Sequence, residues 1–443
     1  MSTNSLEKKI KFSFDRGHSA NIFFKKPDKY REIEELSKYD GTLINAGSNL
    51  SYSPLSFCED SVSINLKKFN RIIDFNLKKK EIIVESGITL SQLLNFTLKY
   101  NLWIPQLPGY PFITIGGAIA TNAHGKSCAL HGTIRNSIKE LKIFHTKNGW
   151  LNLSEKENKE IYDLTIGGIG LTGSIVNVTL KLEDLKSKNF ITYKTKVNSI
   201  KECINELGKK SKENNSFVYS WNIAENLKFL GKGFVFQNKI NIDNSENFKL
   251  LPEEKSNKIK LFLPIWNKLT LKTANWIFYY LNIYSRNFKE DDFTSVIFPF
   301  YGKEAYFNFF GKKGFYESQL LIPENKVEDF FDEFRFIFKK LQPTISLLSF
   351  KSMRGTQEFL KFEDNKICVT FDYINNKNNF LFMSEIDKIC LKLKIIPSII
   401  KDSRLSKKIV EQCYPEYLRF KDSIYAYDKK RIYKSEISKR LEI

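Results

Sequence analysis

Ile115-Gly116-Gly117-Ala118-Ile119-Ala120-Thr121-Asn122-Ala123-His124-Gly125-Lys126 decides how the first half of this chain is read. Adjacent glycines and a run of small residues leave the peptide groups uncovered, so a large, flat molecule can lie against the backbone. A flavin or a nucleotide has that shape. Taken alone, the run fits a tight turn with close packing equally well. Its neighbours decide between the two. Asn45-Ala46-Gly47-Ser48-Asn49-Leu50-Ser51-Tyr52-Ser53 is a small, polar loop between apolar runs, able to align successive N–H groups as a nest for a pyrophosphate. Ile166-Gly167-Gly168-Ile169-Gly170-Leu171-Thr172-Gly173-Ser174-Ile175 adds a glycine cluster just before the strand-like Ile175-Val176-Asn177-Val178-Thr179-Leu180. Three such loops in one N-terminal region suit one extended cofactor.

At 443 residues the chain is too long for one small core and suits two domains. Its 42% hydrophobic and 27% charged residues describe an ordinary globular protein. The net charge of +20 raises the question of nucleic acid. Yet the lysines are spread along the chain and mixed with acids, as in Glu155-Lys156-Glu157-Asn158-Lys159-Glu160, and no nucleic-acid-binding motif appears. No nucleic-acid partner is therefore expected; anionic substrates or anionic lipid head groups suit the diffuse charge better. Cys58, Cys128, Cys203, Cys368, Cys390 and Cys413 lie far apart with no Cys-x-x-Cys, so neither a metal site nor a disulfide framework is expected. The start, Met1 to Lys9, lacks the apolar core of a signal peptide, and no run of about 18 apolar residues could span a bilayer. A cytoplasmic location is expected, with peripheral attachment to the inner face of the membrane as an open option.

Residues 1 to 185 alternate short apolar runs with turns, as in Glu81-Ile82-Ile83-Val84-Glu85-Ser86-Gly87, and include a capped helical pattern from Thr89 to Tyr100. Further on, Glu324 to Leu341 places Val327, Phe330, Phe331, Phe334, Ile337 and Phe338 on one helical face, and Lys366 to Phe371 reads as a strand. One segment stands apart. Leu261-Phe262-Leu263-Pro264-Ile265-Trp266 and Trp276-Ile277-Phe278-Tyr279-Tyr280-Leu281 flank Lys268 and Lys272, a mixture that suits either a packed helix pair or a membrane interface.

The glycine loops, with Phe315-Tyr316-Glu317-Ser318-Gln319-Leu320-Leu321-Ile322-Pro323, Lys366-Ile367-Cys368-Val369, Lys401-Asp402-Ser403-Arg404 and Lys439-Arg440-Leu441-Glu442-Ile443, carry a resemblance over most of the chain. The sequence resembles the flavoenzymes of the vanillyl-alcohol oxidase type, whose FAD-binding domain is shared with the para-cresol methylhydroxylase (PCMH) group, and within them the polyprenyl-phosphoribose oxidase branch. The resemblance implies an α+β fold: a PCMH-type FAD-binding domain over 1–185, a substrate-binding cap with an antiparallel sheet and flanking helices over 186–400, and a C-terminal segment, 401–443, that returns to the FAD domain. It implies FAD contacts from Asn45, Ala46, Gly47, Ser48, Asn49, Leu50, Ser51, Tyr52, Ser53, Pro54 and Leu55, from Gly109, from Thr114, Ile115, Gly116 and Gly117, and from Thr121, Asn122, Ala123, His124 and Ile175. Other members of the superfamily tether FAD through a histidine near His124, whereas this branch holds it non-covalently, which is the expectation here.

Alcohol oxidation by a flavin needs a hydrogen-bond partner or base for the hydroxyl and positive charge near the ring. By resemblance Lys401 is the catalytic-site cation, following the apolar run Ile395 to Ile400. His124 lies against the flavin, as a participant or as a residue that orders its loop. Lys126, Gln319, Lys351, Cys368 and Lys401 are the substrate-side candidates, with Cys368 lining the pocket and taking no catalytic role. The chain departs from the family where a pocket tyrosine falls on Ile297 or Phe298 and another on Ser398, which leaves the sugar open. The activity so implied is oxidation of a secondary hydroxyl of a polyprenyl-phosphate-linked pentose to the 2-keto intermediate of a 2-epimerisation, with a separate short-chain NAD(P)H reductase as partner. A soluble aldonolactone or alditol oxidase acting on free sugar, and a non-catalytic basic lipid- or nucleic-acid-binding protein, are the alternatives.

Overall fold

β-branched and large apolar residues alternating with polar ones build most of the strands, and the computed structural model describes residues 6–213, 216–242, 249–253, 261–355, 357–362 and 364–443. The N-terminal half holds two sheets. In the first, Glu7–Phe12 pairs antiparallel with Ser19–Lys25, and Val62–Asn65 runs parallel to both Ser19–Lys25 and Leu43–Ala46. The second is a five-stranded antiparallel sheet in the order Ile72–Asn76, Glu81–Glu85, Ser174–Lys181, Ile138–His145, Gly149–Ser154. Ile82, Val84, Val178 and Leu180 alternate onto its inner face, where the helix Leu90–Thr97 packs its leucines. Thr89 caps that helix in a box with Gln92, as the sequence pattern requires.

The glycine run is not an open loop. It forms a short helix, Ile115–Ala120, capped by the Thr114 hydroxyl, which accepts from the Gly117 N–H at 3.3 Å. Ile115, Ala118 and Ile119 fall on the core side, so the turn's bare side carries Gly116, Gly117 and Ala120.

An eight-stranded sheet dominates the second half, in the order Phe288–Asp292, Asn189–Val197, Gly233–Asn241, Ser216–Asn222, Ile345–Met353, Lys366–Ile374, Phe315–Ile322, Ile396–Pro397. Every pairing in it is antiparallel. Helices Ile200–Lys210, Val327–Leu341 and Lys377–Leu393 cover one face and share with it a large apolar core. All six apolar residues expected on one side of Val327–Leu341 are buried there, and Pro323 opens a 3-10 turn that delays the α-helix to Val327. The alternation that buries Leu320, Leu348, Phe350 and Val369 under the helices turns Gln319, Ser349, Lys351 and Thr370 to the other face.

The C-terminal helices Lys407–Cys413, Tyr417–Tyr427 and Glu436–Leu441 add Val410, Tyr417, Phe420 and Leu441 to that core. Their connecting segment reaches back to the first sheet: Leu43 N–H donates to Ile432 O at 2.8 Å and Lys434 N–H to Leu43 O at 2.9 Å. The segment that admitted two readings is a single helix, Lys268–Tyr284, capped by Asn267. Only Leu271 and Asn275 are buried on it, while Leu269, Trp276, Leu281 and Tyr284 are 72, 60, 67 and 83% exposed. Trp266 behaves differently, because its indole N–H donates to Tyr306 O at 2.9 Å and its ring packs on Phe309. It is held by Tyr306 and Phe309 and is not part of the exposed face. No helix among the described residues is long and apolar enough to cross a membrane.

Candidate active site

Between the glycine-rich half and the free face of the large sheet lies a cavity of about 1400 Å³. That is above the roughly 300–1,000 Å³ usual for a single small-molecule site, so a dinucleotide and a substrate fit together. Its N-terminal wall comprises Asn45 to Tyr52, Leu55, Gly109, Thr114, Gly116, Gly117, Thr121 to Lys126 and Ile175. Four expected contacts lie behind this surface. Ile115 is in the core, Ser53 is buried with its hydroxyl on Ile399 O, Pro54 is buried beside it, and Cys368 is wholly enclosed in its strand.

The glycines separate by physical role. A Cβ on Gly125 would meet Leu107 O at 2.0 Å, and one on Gly168 would meet Leu164 O at 1.7 Å, so these two serve packing. At Gly117 the only atom within 4 Å of such a Cβ is Thr114 Oγ1 at 3.1 Å, so its missing side chain keeps the cavity open. Asn49 holds a left-handed φ of 53°, which turns the Asn45–Tyr52 loop around the cavity end. Among the described residues nothing bonds the buried hydroxyls of Ser48 and Ser51 on that loop. Bare backbone and unsatisfied buried donors fit a phosphate-bearing cofactor.

Lys401 reaches the cavity because its neighbours are fixed. Arg404 binds Asp387 through two nitrogens at 2.6 and 2.8 Å and Asp402 at 2.8 Å; Ser403 hydrogen-bonds Asp15, and its carbonyl receives His18 Nε2 at 2.8 Å. Three anchored residues thus present the Lys401 side chain to the cavity. Its Nζ lies 3.2 Å from Glu317 Oε1 and 3.7 Å from the centre of the Tyr52 ring. Gln319 and Lys351 also line the cavity, as does Ser398.

His124 is the one histidine at the cavity among the described residues. Burial, with Lys351 and Lys401 nearby, holds its imidazole well below the usual range, so it is neutral. Lys351 Nζ is 3.0 Å from Nδ1, so the neutral ring accepts there and carries its proton on Nε2. Lys126 spans a second cationic region: its Nζ donates to Val296 O at 2.7 Å, lies 4.2 Å from the Tyr219 ring centre, and is lowered to about 7 by burial and by Lys303.

Ile297 and Phe298, where the family pattern has a tyrosine, are buried in the core rather than in the cavity. The cavity has other phenols, Tyr52, Tyr110, Tyr219 and Tyr306. Sequence reading missed Tyr306, Glu317 and Asp372. Glu317 was within reach, since it shares a strand face with Gln319 two residues on.

Residues 30–154 match the family described as FAD binding domain. The chain is an FAD-dependent oxidoreductase of α+β fold with a PCMH-type FAD-binding domain. Over 419 residues it is 25% identical to the decaprenylphosphoryl-beta-D-ribose oxidase of Mycolicibacterium smegmatis, a likeness covering 90% of this chain and 89% of that one. It is also 25% identical over 195 residues to the L-gulonolactone oxidase of Bos taurus (44% and 43% of the two chains). The D-arabinono-1,4-lactone oxidase of Candida glabrata is 29% identical over 161 residues, covering 35% of this chain and 30% of that one. The lactone oxidases therefore share less than half of their length with it.

Proposed function

We propose that the protein oxidises a secondary hydroxyl of a polyprenyl-phosphate-linked pentose to a 2-keto sugar, which a separate short-chain NAD(P)H reductase then reduces with inversion. The N-terminal wall, from Asn45 to Tyr52 with Gly116 and Gly117, would hold FAD, which would supply the hydride acceptor. Lys401, Gln319 and Lys351 orient the sugar, and His124 Nε2–H donates at the same end. The observation that carries this reading is the cation balance of the cavity. Among the described residues Lys126, Lys303 and Lys351 pair with no carboxylate, whereas Lys289 is held by Asp291 at 2.8 Å and Lys401 by Glu317. These three amines, Lys126 and Lys351 half-buried and Lys303 exposed, suit a phosphate-bearing substrate, whose charge would hold the proton on Lys126, better than a neutral lactone. The likeness over nine-tenths of the chain to an oxidase named for a lipid-linked ribose supports the same substrate.

The lipid tail implies a place of work. Helix Lys268–Tyr284 turns Phe278 and Asn282 toward the cavity and Leu269, Trp276, Leu281 and Tyr284 outward, so its apolar outer stripe borders the entrance. With Lys268 and Lys272 beside that stripe and +20 overall, it suits an anionic bilayer surface. The test is anaerobic bleaching of the flavin by a polyprenyl-phosphate-linked pentose in phosphatidylglycerol vesicles, with co-sedimentation at low and high salt. Bleaching, salt-sensitive binding, and weakened binding in Trp276→Ala/Leu281→Ala are expected. Bleaching by free aldonolactones, with no vesicle binding at low salt, would move the assignment to a soluble lactone oxidase.

FAD is proposed to be held without a covalent bond, since the Nδ1 lone pair of His124 is already engaged by Lys351. Acid precipitation should leave the yellow colour in the supernatant. Flavin that stays with the precipitate, and is freed by His124→Ala, would reverse this.

A further inference from the structure

Glu317 and Asp372 face each other directly across the antiparallel strands Phe315–Ile322 and Lys366–Ile374, and both are buried. Residues opposed in this way carry their side chains on one face and within reach of each other. Asp372 Oδ2 accepts from the Tyr306 hydroxyl at 2.8 Å, and that hydroxyl also meets Ser346 Oγ at 2.8 Å. Of the other three carboxylate oxygens, Asp372 Oδ1 and Glu317 Oε1 are buried with no hydrogen-bond donor among the described residues. Lys401 Nζ, 3.2 Å from Glu317 Oε1, gives a charge contact there without hydrogen-bond geometry. Two buried carboxylates with one ammonium between them leave one negative charge uncompensated. A proton on one of them removes that charge and supplies the missing donor.

We propose that Glu317 and Asp372 hold one proton between them, and that Glu317 is the final acceptor of the proton leaving the substrate hydroxyl, with Lys401 as relay. Asp372 is the protonated member, raised well above the usual carboxyl range by burial and then by the Glu317 charge. Its O–H donates to Glu317, which keeps Glu317 ionised and aimed at Lys401. This rests on the alcohol-oxidation reading above. In the step, the hydroxyl O–H breaks and its proton goes to Lys401 Nζ as Lys401 passes one of its own to Glu317. The carbonyl forms, and the carbon-bound hydrogen leaves with two electrons to FAD. Lys401 ends with its charge unchanged, and Glu317 ends neutral. Tyr52 and Tyr306, the other titratable groups at the pair, stay protonated because burial raises both phenols. His124 and Lys351 engage each other at 3.0 Å, and Cys368 is enclosed with its thiol protonated because burial raises it.

Two measurements on the FAD-loaded protein separate this from a packing role. Infrared difference spectra should contain a protonated-carboxyl stretch at neutral pH, present without substrate and lost in Asp372→Asn; its absence from wild type would refute the shared proton. Flavin reduction by whichever alcohol bleaches it should slow in wild type as pH falls, because a second proton on the carboxyl pair removes the acceptor. Glu317→Gln should cut the rate about a hundredfold, within the range of general acid–base effects, and remove that acid limb. A slowed variant that keeps the wild-type acid limb would reduce Glu317 to a structural residue. If no alcohol bleaches the flavin, the function fails, while the infrared band still decides the proton.

Discussion

Gly117→Val should yield a folded, colourless protein. The substitution is informative because only one atom, the Thr114 hydroxyl oxygen at 3.1 Å, crowds a Cβ at this position, and a shift of a few tenths of an ångström by that side chain admits it. Its neighbours Ile115, Ala118 and Ile119 keep the helix in the core, and valine is a better helix former than glycine by a few tenths of a kcal/mol, so helix propensity does not oppose the change. The two methyl groups then project into the cavity at the wall where bare backbone admits the cofactor. Close approach of a planar ring tolerates no such intrusion, so flavin content should fall by more than tenfold, with melting of the apoprotein close to that of wild-type apoprotein. The contrast is Gly125→Ala, which would drive a Cβ to 2.0 Å from Leu107 O and should damage folding itself. Absorbance of the purified variant near the flavin bands, with a thermal melt, checks both. Full yellow colour in Gly117→Val would mean that the flavin lies elsewhere in the cavity.

Much of this wall was legible because its signals are local. A Thr cap, the spacing of Ile115, Ala118 and Ile119, and glycines between them are written within one short stretch, although the stretch reads equally as a loop until the core takes its apolar side. The Phe-rich helix Val327–Leu341 was legible for the same reason: its period is its own. Glu317 and Asp372 were not, since each reads as one more charged residue in a strand, and only the register sets them face to face. The sequence contains no sign of Asp387 and Asp15 as the anchors that fix the loop after Lys401. Composition left Trp266 open between packing and a membrane surface, and the structure packs it. Its indole is held by Tyr306, whereas Trp276, alike in kind and ten positions on, stands in solvent. Aromatic content marks a surface only once the fold has chosen which rings to cover.

Lys401→Ala should lower turnover by about two to three orders of magnitude, the loss found when a positioned charge-stabilising donor is removed from a reacting centre. The fold should hold, because the tetrad is anchored by Asp402, Ser403 and Arg404 and not by the lysine. Flavin should stay bound, since the N-terminal wall is untouched. The carboxyl of Glu317, left buried without its cation, should take up a proton instead of remaining charged. That last consequence makes the pair testable as a unit. If Lys401 relays a proton to Glu317, removing either breaks the same route, so Lys401→Ala/Glu317→Gln should be about as slow as the slower single variant. Multiplied losses in the double variant would mean that the two act separately on the substrate. Turnover of Lys401→Ala within a few-fold of wild type, at full flavin content, would remove Lys401 from the chemistry altogether and leave it a lysine stacked on Tyr52. Rapid-mixing measurement of flavin reduction separates these cases, because it reads the hydride step before product release can mask it.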